Sequence, residues 1–318
     1  MTELRIVFMG TPDFAVGVLK TLIDHNYNVV GVITAPDRPS GRGRKLNQSA
    51  VKKYALEQNL NILQPTNLKD ELFLAELNKL NANLQIVVAF RMLPKVVWQM
   101  PALGTFNLHA SLLPNYRGAA PINWVIINGE TKTGVTTFFI DDKIDTGAII
   151  LKEEIAIDKN DTAGTLHDKL MQLGSKLVIE TVKLIEKGEV KPVQQRLLED
   201  NQLKDAPKIF KDTCQIHWNK SIDEIYDKIR GLNPYPGAWT DFYNDEETLE
   251  MKIYDVKKEK EKHHHSIGKL IADKTQLKVA VNKGFIIIEK LQLPGKRKMR
   301  IGDLLNGYKI GEKAYVKS

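Results

Sequence analysis

Asn107 and His109 lie two positions apart in the stretch FNLHAS, where polar residues alternate with the apolar Phe106, Leu108 and Ala110. Alternation with a period of two is typical of a strand, so both polar side chains point to one face. An amide can donate to a carbonyl oxygen as negative charge develops on it. An imidazole with a reference pKa near ~6.5 can exchange protons around neutrality. The pair therefore indicates chemistry on a carbonyl group.

A carboxylate would complete this set, and Asp145 in the stretch DDKIDTG is the candidate. It could orient the imidazole or a water molecule, and it could receive a proton from an attacking amine. An isolated histidine is usually structural, and Asp-Thr-Gly is common turn chemistry. The joint placement of the three residues favours a catalytic trio of Asn107, His109 and Asp145.

The elements that would position these residues alternate between strands and helices. Short apolar runs, RIVFM, VVGVIT and LQIVVA, predict strands, and residues 49–59 and 69–80 have helical spacing. The runs GVTTFFI and AIILKEEIAI extend the sheet, and a long helix is predicted over 162–187. This order predicts an α/β domain with a mostly parallel sheet covered on both faces, whose ligands gather at the carboxyl ends of the strands.

The first predicted turn, GTPDF, occupies the place of a nucleotide loop but matches neither GxGxxG nor a P-loop. It could present helix N-terminal amides to a polar ligand, or it could be a plain connection. A dinucleotide site is therefore not favoured.

A loop of about fifteen residues follows the second predicted strand, whereas such connections normally take ~2 to 6 residues. It holds the cations Arg38, Arg42, Arg44 and Lys45 among glycines and prolines. Flexible arginine-rich loops fit phosphate backbones and base edges, although a disordered surface insertion is the alternative.

Charge divides the chain unevenly. From residue 207 onward there are 22 basic and 16 acidic residues, a net charge of +6, while residues 1–206 carry only +1. We expect a catalytic domain over 1–189, a linker over 190–206 and a smaller basic β-barrel over 207–318. A cationic region attracts nucleic acid, or is simply a solvated surface.

Two further features favour a structural interpretation. The stretch KKEKEKHHHS is of low complexity and indicates a mobile loop, in which His263, His264 and His265 could bind a metal only adventitiously. The single cysteine, Cys214, excludes an internal disulfide and is interpreted as a core residue. No apolar run approaches the ~20 residues of a membrane span, and the first residues lack the features of a signal peptide. A cytoplasmic protein is expected.

Five stretches in this order, FMGTPDFA, PDRPSGRGRKL, FNLHASLLPNYRGAAPINW, IDTG and IRGLNPYPGAW, closely resemble the methionyl-tRNA formyltransferase family of folate-dependent formyltransferases. The match runs from residue 5 to at least residue 240. The resemblance implies transfer of a formyl group from 10-formyltetrahydrofolate to the α-amine of methionine on initiator tRNA, without a metal. It also implies a Rossmann-like catalytic domain and an OB-like, tRNA-binding C-terminal barrel.

By this resemblance, Asn107, His109 and Asp145 match the catalytic residues, and Arg42 matches a loop arginine that engages tRNA, with Arg38, Arg44 and Lys45 beside it. The folate site is then expected to include the following residues: Ser111, Leu112, Leu113, Pro114, Phe90, Arg91 and Met92. Arg91 departs from the family, where many relatives have glycine, and could face solvent or a folate carboxylate. A monomer is expected. Two alternatives stay open: a formyltransferase acting on a sugar nucleotide, and a non-catalytic RNA-binding protein.

Overall fold

A computed structural model describes residues 3–40, 45–195 and 203–317. The chain forms two compact units: one comprises Met1–Gly118, Thr133–Ile155 and His167–Asp205, the other Ala119–Lys132, Ala156–Leu166 and Ala206–Ser318. Two segments within residues 1–189, Ala119–Lys132 and Ala156–Leu166, thus belong to the second unit. The expected limits of 1–189, 190–206 and 207–318 assign both segments to the catalytic domain. Those domain limits stay a prediction.

The strands of the first half of the chain are β1 Ile6–Gly10, β2 Val29–Ile33, β3 Arg38–Ser40, β4 Lys45–Asn47, β5 Ile62–Leu63, β6 Leu84–Val88, β7 Thr105–His109, β8 Arg117–Gly118, β9 Lys132–Phe139 and β10 Ile149–Ala156. The helices are α1 Asp13–Asp24, α2 Ala50–Glu57, α3 Glu71–Lys79, α4 Lys95–Trp98, α5 Pro121–Ile127 and α6 Ala163–Lys187.

Seven strands form one sheet in the order β10-β9-β7-β6-β1-β2-β5. The pairs from β7 to β5 are all parallel, and β9 runs antiparallel to β7. The central strands are continuous apolar runs because the sheet buries both of their faces: every residue of β1 and β6 is buried. The predicted Rossmann-like architecture is confirmed.

The predicted helices begin at side-chain caps. The Ser49 hydroxyl accepts a hydrogen bond from the Lys52 amide at the start of α2, and the Asp70 carboxylate accepts one from the Phe73 amide at the start of α3. Each cap supplies a partner to an amide that the first helical turn leaves unpaired. The long helix predicted over 162–187 is α6.

The described residues at both ends of the arginine-rich connection form a two-stranded ribbon, where the sequence predicts a loop. Strands β3 and β4 pair antiparallel, with Arg38 opposite Asn47. At the base of this ribbon, Lys52 Nζ lies 2.6 Å from an Asp37 carboxylate oxygen, and Gln64 Nε2 donates to the other at 2.9 Å. Arg42 and Arg44 lie outside the described residues.

The second half of the chain contains β11 Asp205–Ala206, β12 Ala238–Asn244, β13 Glu247–Glu259, β14 Leu270–Ala272, β15 Leu277–Val281, β16 Gly284–Gln292, β17 Met299–Arg300 and β18 Tyr315–Lys317, with helices α7 Ile222–Gly231 and α8 Ile301–Leu305. The sheet of the second unit runs in the order β14-β15-β16-β13-β12-β18, and β17 pairs with β16. A bridge between Lys269 and Tyr315 brings its two ends together, so the sheet is a nearly closed antiparallel barrel. The predicted OB-like barrel is confirmed.

Helix α7 begins at the predicted capping box, in which Ser221 and Glu224 bond each other's backbone amides. The low-complexity stretch over 257–266 begins as a strand and continues as a loop from residue 260. Lys257–Glu259 belong to β13 and pair with β16, and the His263 ring lies 4.5 Å from the Phe285 ring. Apolar cross-strand neighbours on β16 thus hold the first three residues of this charged stretch in place. Within the described part of the chain, no helix is long and apolar enough to span a membrane.

Candidate active site

Strand β7 carries Asn107 and His109 on one face, two residues apart. Its other face is core: Phe106 and Leu108 are buried, and Leu108 fills the space where Gly174 of α6 has no side chain. Asn107 is half-buried, and His109 is only 6% exposed. Rigid packing behind the strand therefore fixes the direction of both polar side chains.

The imidazole of His109 has two different neighbours. Its Nε2 lies 2.8 Å from the backbone carbonyl oxygen of Tyr116, and its Nδ1 lies 3.8 Å from Oδ2 of Asp145. A carbonyl only accepts hydrogen bonds, so Nε2 carries a proton. Nδ1 is then the nitrogen that can gain or lose a proton, and it faces the carboxylate.

Asp145 occupies the turn between β9 and β10 with a left-handed φ of 54°. Its Oδ2 accepts a hydrogen bond of 2.9 Å from the Gly118 amide. Gly147, two residues further along the chain, lies so close to the end of β9 that a Cβ there would be 1.7 Å from the Phe139 carbonyl oxygen. Only glycine fits this approach, which explains the Asp-Thr-Gly sequence. The structure thus brings Asp145 to His109, across 36 residues of sequence.

The SLLP run continues from β7 and is tied to β9 and β10. Thr136 Oγ1 donates to the Ser111 carbonyl at 2.6 Å, and the Leu113 amide donates to Thr136 Oγ1 at 3.2 Å. Lys152 Nζ donates to the Leu113 carbonyl at 2.6 Å, and burial lowers the pKa of this lysine. Leu112 and Pro114 are half-buried. These hydrogen bonds fix the backbone of the SLLP run, residues 111–114. Its predicted contact with folate stays a prediction.

The other predicted folate-site segment follows β6. Phe90 packs against the core, Met92 is exposed, and Arg91 donates to the carbonyl oxygens of Pro65 and Thr66, at 2.9 Å to the latter. Its guanidinium also lies 5.5 Å from the centre of the Phe90 ring. Burial, followed by the charge of Arg38, lowers the pKa of Arg91. The residue with a positive φ in this segment is Ala89, at 46°. Arg91 therefore does not need the conformational freedom of the glycine that many relatives have at its position.

The predicted tRNA-binding cations are described only in part. Arg38 is exposed in β3, and Lys45 contributes its backbone to β4. Arg42 and Arg44 lie outside the described residues, so their predicted roles stay predictions.

The structural interpretations of the remaining residues agree with their surroundings. Cys214 is buried, its Sγ donates to the Phe210 carbonyl at 3.2 Å, and burial raises the pKa of the thiol. His263 Nε2 faces the carbonyl oxygens of Val281 and Gly284 at 2.8 and 3.0 Å.

Three groups that support this site are not among the residues predicted from the sequence: the Tyr116 carbonyl, the Gly118 amide and the Gln195 side chain. The Tyr116 carbonyl and the Gly118 amide act through backbone atoms, which residue types do not reveal, although both lie in the recognised stretch NYRG. Gln195 was missed because its polar, aperiodic surroundings were interpreted as a linker. Its side chain in fact donates to the carbonyls of Asp145 and Gly147.

Comparisons with known proteins agree with this geometry. Residues 4–182 match the family model described as "Formyl transferase", and residues 208–309 match "Formyl transferase, C-terminal domain". The chain is 63% identical to methionyl-tRNA formyltransferase of Flavobacterium johnsoniae over 99% of this chain and 100% of the relative. It is 54% identical to that of Bacteroides thetaiotaomicron over 98% and 97%.

Solved structures share the fold at lower identity. An N-formyltransferase from Helicobacter canadensis, in complex with folinic acid and dTDP-3-aminofucose, has a TM-score of 0.64 at 19% identity, covering 90% of this chain and 98% of that one. HypX from Aquifex aeolicus with tetrahydrofolic acid has a TM-score of 0.65 at 17% identity, covering 96% and 47%. Likeness at this identity supports the fold, whereas the full-length matches above 50% show that the chain belongs to the methionyl-tRNA formyltransferase family.

Proposed function

We propose that this chain transfers the formyl group of 10-formyltetrahydrofolate to the α-amino group of methionine esterified to initiator tRNA, giving N-formylmethionyl-tRNA for translation initiation. The observation that carries the proposal is the approach of Asp145 Oδ2 to His109 Nδ1 at 3.8 Å, beside Asn107 on the same strand face. An amide, an imidazole and a carboxylate together can serve acyl transfer to an amine.

The chemistry follows from these three side chains. The amine nitrogen attacks the formyl carbon, a C–N bond forms, and the carbonyl π electrons move to oxygen. The Asn107 amide and the protonated Nδ1 of His109 stabilise the oxyanion of this tetrahedral intermediate. Asp145 accepts the proton that the amine loses, directly or through water. Collapse of the intermediate re-forms the carbonyl and breaks its bond to the folate nitrogen, which takes up a proton.

The family uses a folate-derived formyl donor, and solved structures of the same fold have been determined with folinic acid and with tetrahydrofolic acid. We assign donor binding to the SLLP wall, Ser111 to Pro114, and to Phe90, Arg91 and Met92. The side chain of Arg91 already donates to two backbone carbonyls, so its remaining N–H groups would serve an acidic group of the donor.

For the acceptor, we assign tRNA contacts to Arg38, Arg42, Arg44 and Lys45, and to the basic barrel. Arg38 and the backbone of Lys45 belong to the antiparallel pair of β3 and β4, which supports the assignment of this segment to one binding surface. Phosphate contacts made by arginine and lysine position nucleic acid without reading its sequence. A cytoplasmic monomer stays the expectation.

The two alternatives explain fewer features. The Helicobacter canadensis N-formyltransferase was solved with an amino-sugar nucleotide, but such an acceptor has no evident use for a basic barrel. A non-catalytic RNA-binding protein has no use for the arrangement of Asn107, His109 and Asp145.

The test is incubation of the purified chain with 10-formyltetrahydrofolate and methionyl initiator tRNA, with formylmethionine as the readout. An amino-sugar nucleotide replaces the tRNA in a parallel reaction. In single turnovers with bound substrates, Asn107→Ala and His109→Ala should each slow transfer by roughly 10²-fold or more. His25→Ala, at an exposed histidine bonded only locally, serves as the control. Near-normal rates in both site variants would overturn the assignment, and transfer to the sugar alone would favour the first alternative.

A further inference from the structure

Gln195 lies beyond the end of α6, in the segment that sequence reasoning interpreted as a linker. The chain is held there by a two-way backbone contact: the Ile149 amide donates to the Val193 carbonyl and the Val193 amide donates to the Ile149 carbonyl, each at 2.8 Å. This bridge extends the edge of the sheet beside β10. It brings the Gln195 side chain to the turn that contains Asp145.

Three hydrogen bonds use both ends of the Gln195 amide. Nε2 donates to the carbonyl oxygens of Asp145 and Gly147, both at 2.9 Å, and Oε1 accepts from Nη2 of Arg117 at 2.6 Å. The orientation of the amide is unambiguous because carbonyls only accept and a guanidinium only donates. No other standard side chain of this length carries a nitrogen with two N–H donors and an acceptor oxygen on the same carbon.

These bonds join the two segments that meet at the carboxylate. Arg117 is the residue before Gly118, whose amide donates to Asp145 Oδ2 at 2.9 Å. Gln195 therefore bonds the Asp145 backbone through Nε2 and strand β8 through Oε1. Strand β8 contains Gly118, the amide of which donates to the Asp145 carboxylate. Because φ of Asp145 is left-handed, at 54°, its conformation depends on external contacts of this kind.

Arg117 depends on the same contact. Within the described residues its Nε is buried without a hydrogen-bond partner, and the bond from Nη2 to Gln195 is the one that the structure assigns to its guanidinium. Loss of Gln195 would remove this hydrogen bond from the guanidinium beside the turn that contains Asp145.

We propose that Gln195 is a positioning residue for the Asp145 carboxylate, acting through the backbone carbonyls of Asp145 and Gly147 and through Arg117. It sets the distance from Asp145 to His109 and does not itself contact substrate. The catalytic meaning of this placement rests on the proposed function, whereas the placement itself can be measured without it.

The experiment uses the full chain with Gln195→Ala, Gln195→Glu and, as a matched control, Gln194→Ala at the neighbouring exposed glutamine. Gln195→Ala should lower kcat roughly 10- to 100-fold with both KM values changed less than about threefold, since misplacement of a reacting group slows chemistry rather than binding. Gln195→Glu should be equally impaired although it can still pair with Arg117, because it cannot donate to the two carbonyls. Gln194→Ala should match wild type.

A double-mutant cycle separates positioning from general destabilisation. In an Asp145→Asn background, Gln195→Ala should cost less than about twofold in kcat, since the group that it positions is already lost. The proposal would be overturned if Gln195→Ala lowered kcat as much in the Asp145→Asn background as in wild type. It would also be overturned if Gln195→Ala acted mainly on KM.

Amide hydrogen exchange gives a readout that does not need catalysis. Exchange of the Gly118 amide should accelerate roughly tenfold or more in Gln195→Ala and stay unchanged in Gln194→Ala, because the acceptor Oδ2 is no longer held in place. If wild type transferred no formyl group, the proposed function would fail while this exchange rate still tested the positioning. Unchanged Gly118 exchange would overturn the positioning whatever the activity.

Discussion

Oδ2 of Asp145 lies near two groups of the segment 109–118. It is 3.8 Å from Nδ1 of His109 and 2.9 Å from the amide nitrogen of Gly118. The second distance is a hydrogen bond, and the first is longer than one. Distances of this kind often shorten when substrates bind. The carboxylate is therefore anchored by backbone and left free to act toward the imidazole or the attacking amine.

Asp145→Asn tests the charge at this position without changing its shape. An asparagine oxygen still accepts from the Gly118 amide, so the fold should tolerate the change. The single-turnover rate of formyl transfer should fall by roughly 10²-fold, because the amide cannot take up a proton. Asp142→Asn, at an exposed carboxylate 3.9 Å from Lys95, is the control and should keep the wild-type rate. Equal rates in the two variants would remove Asp145 from the mechanism.

Gly147→Ala tests the close approach that shapes the same turn. A Cβ at this position would lie 1.7 Å from the Phe139 carbonyl oxygen, so the turn must move and carry Asp145 with it. We expect a lower melting temperature and a loss of kcat together. Gly302→Ala in α8, where a Cβ meets nothing within 4 Å, should be neutral or slightly stabilising. Thermal denaturation and transfer rate check both, and an active, stable Gly147→Ala variant would contradict the geometry.

Asp37 makes the base of the β3–β4 ribbon sensitive to pH. The hydrogen bond from Gln64, followed by the bond and charge of Lys52, lowers the pKa of this carboxyl. A lowered folded-state pKa contributes stability that is present above the unfolded value of ~3.9 and is lost as pH falls through the folded value. Asp37→Asn should therefore melt below wild type at pH 7, and the difference should shrink toward pH 3. A difference independent of pH would show that the charge is not involved.

Arg230 supports the second unit from within. It is 8% exposed, its Nε donates to Asp227 at 2.7 Å and its Nη1 donates to the Asp161 carbonyl at 2.9 Å. Arg230→Met removes these donors but keeps much of the volume, which leaves a shielded carboxylate without its cation and should cost about 2–4 kcal/mol. Denaturant unfolding checks this value. Arg297→Met, at an exposed arginine, should change stability by less than ~0.5 kcal/mol.

Arg42 tests the assignment of the arginine-rich segment to nucleic acid. Arg42→Ala should raise the KM for methionyl initiator tRNA and reduce the steepness of its salt dependence, because one fewer phosphate is neutralised. Binding of the folate donor should stay near wild type. Lys69→Ala, at an exposed lysine of the same half of the chain, is the control. If Arg42→Ala weakened binding of the folate donor as much as it raised the KM for tRNA, the variant would be misfolded, and a lost tRNA contact would not explain the result.

The sequence alone determined the elements whose signals are local. Buried parallel strands such as β1 are continuous apolar runs, and α2 and α7 begin at Ser49 and Ser221, whose types are typical of caps. It also predicted the roles of Asn107 and His109, since two residues on one strand share a face by backbone geometry alone. Those signals depend on neighbours within a few positions, so they can be read along the chain.

Tertiary structure decided everything that joins distant segments. Asp145 reaches His109 through a turn that only Gly147 permits, and Gln195 reaches Asp145 from a segment without periodicity. Hydrogen bonds with backbone groups hold these segments: the Gly118 amide donates to Asp145, and Gln195 donates to the carbonyls of Asp145 and Gly147. Nearly every residue type has the same backbone groups, so residue types alone do not reveal these partners. Residue types and their spacing therefore predicted Asn107, His109 and Asp145 as the candidate catalytic groups, while the distances between these groups depend on packing across the sheet.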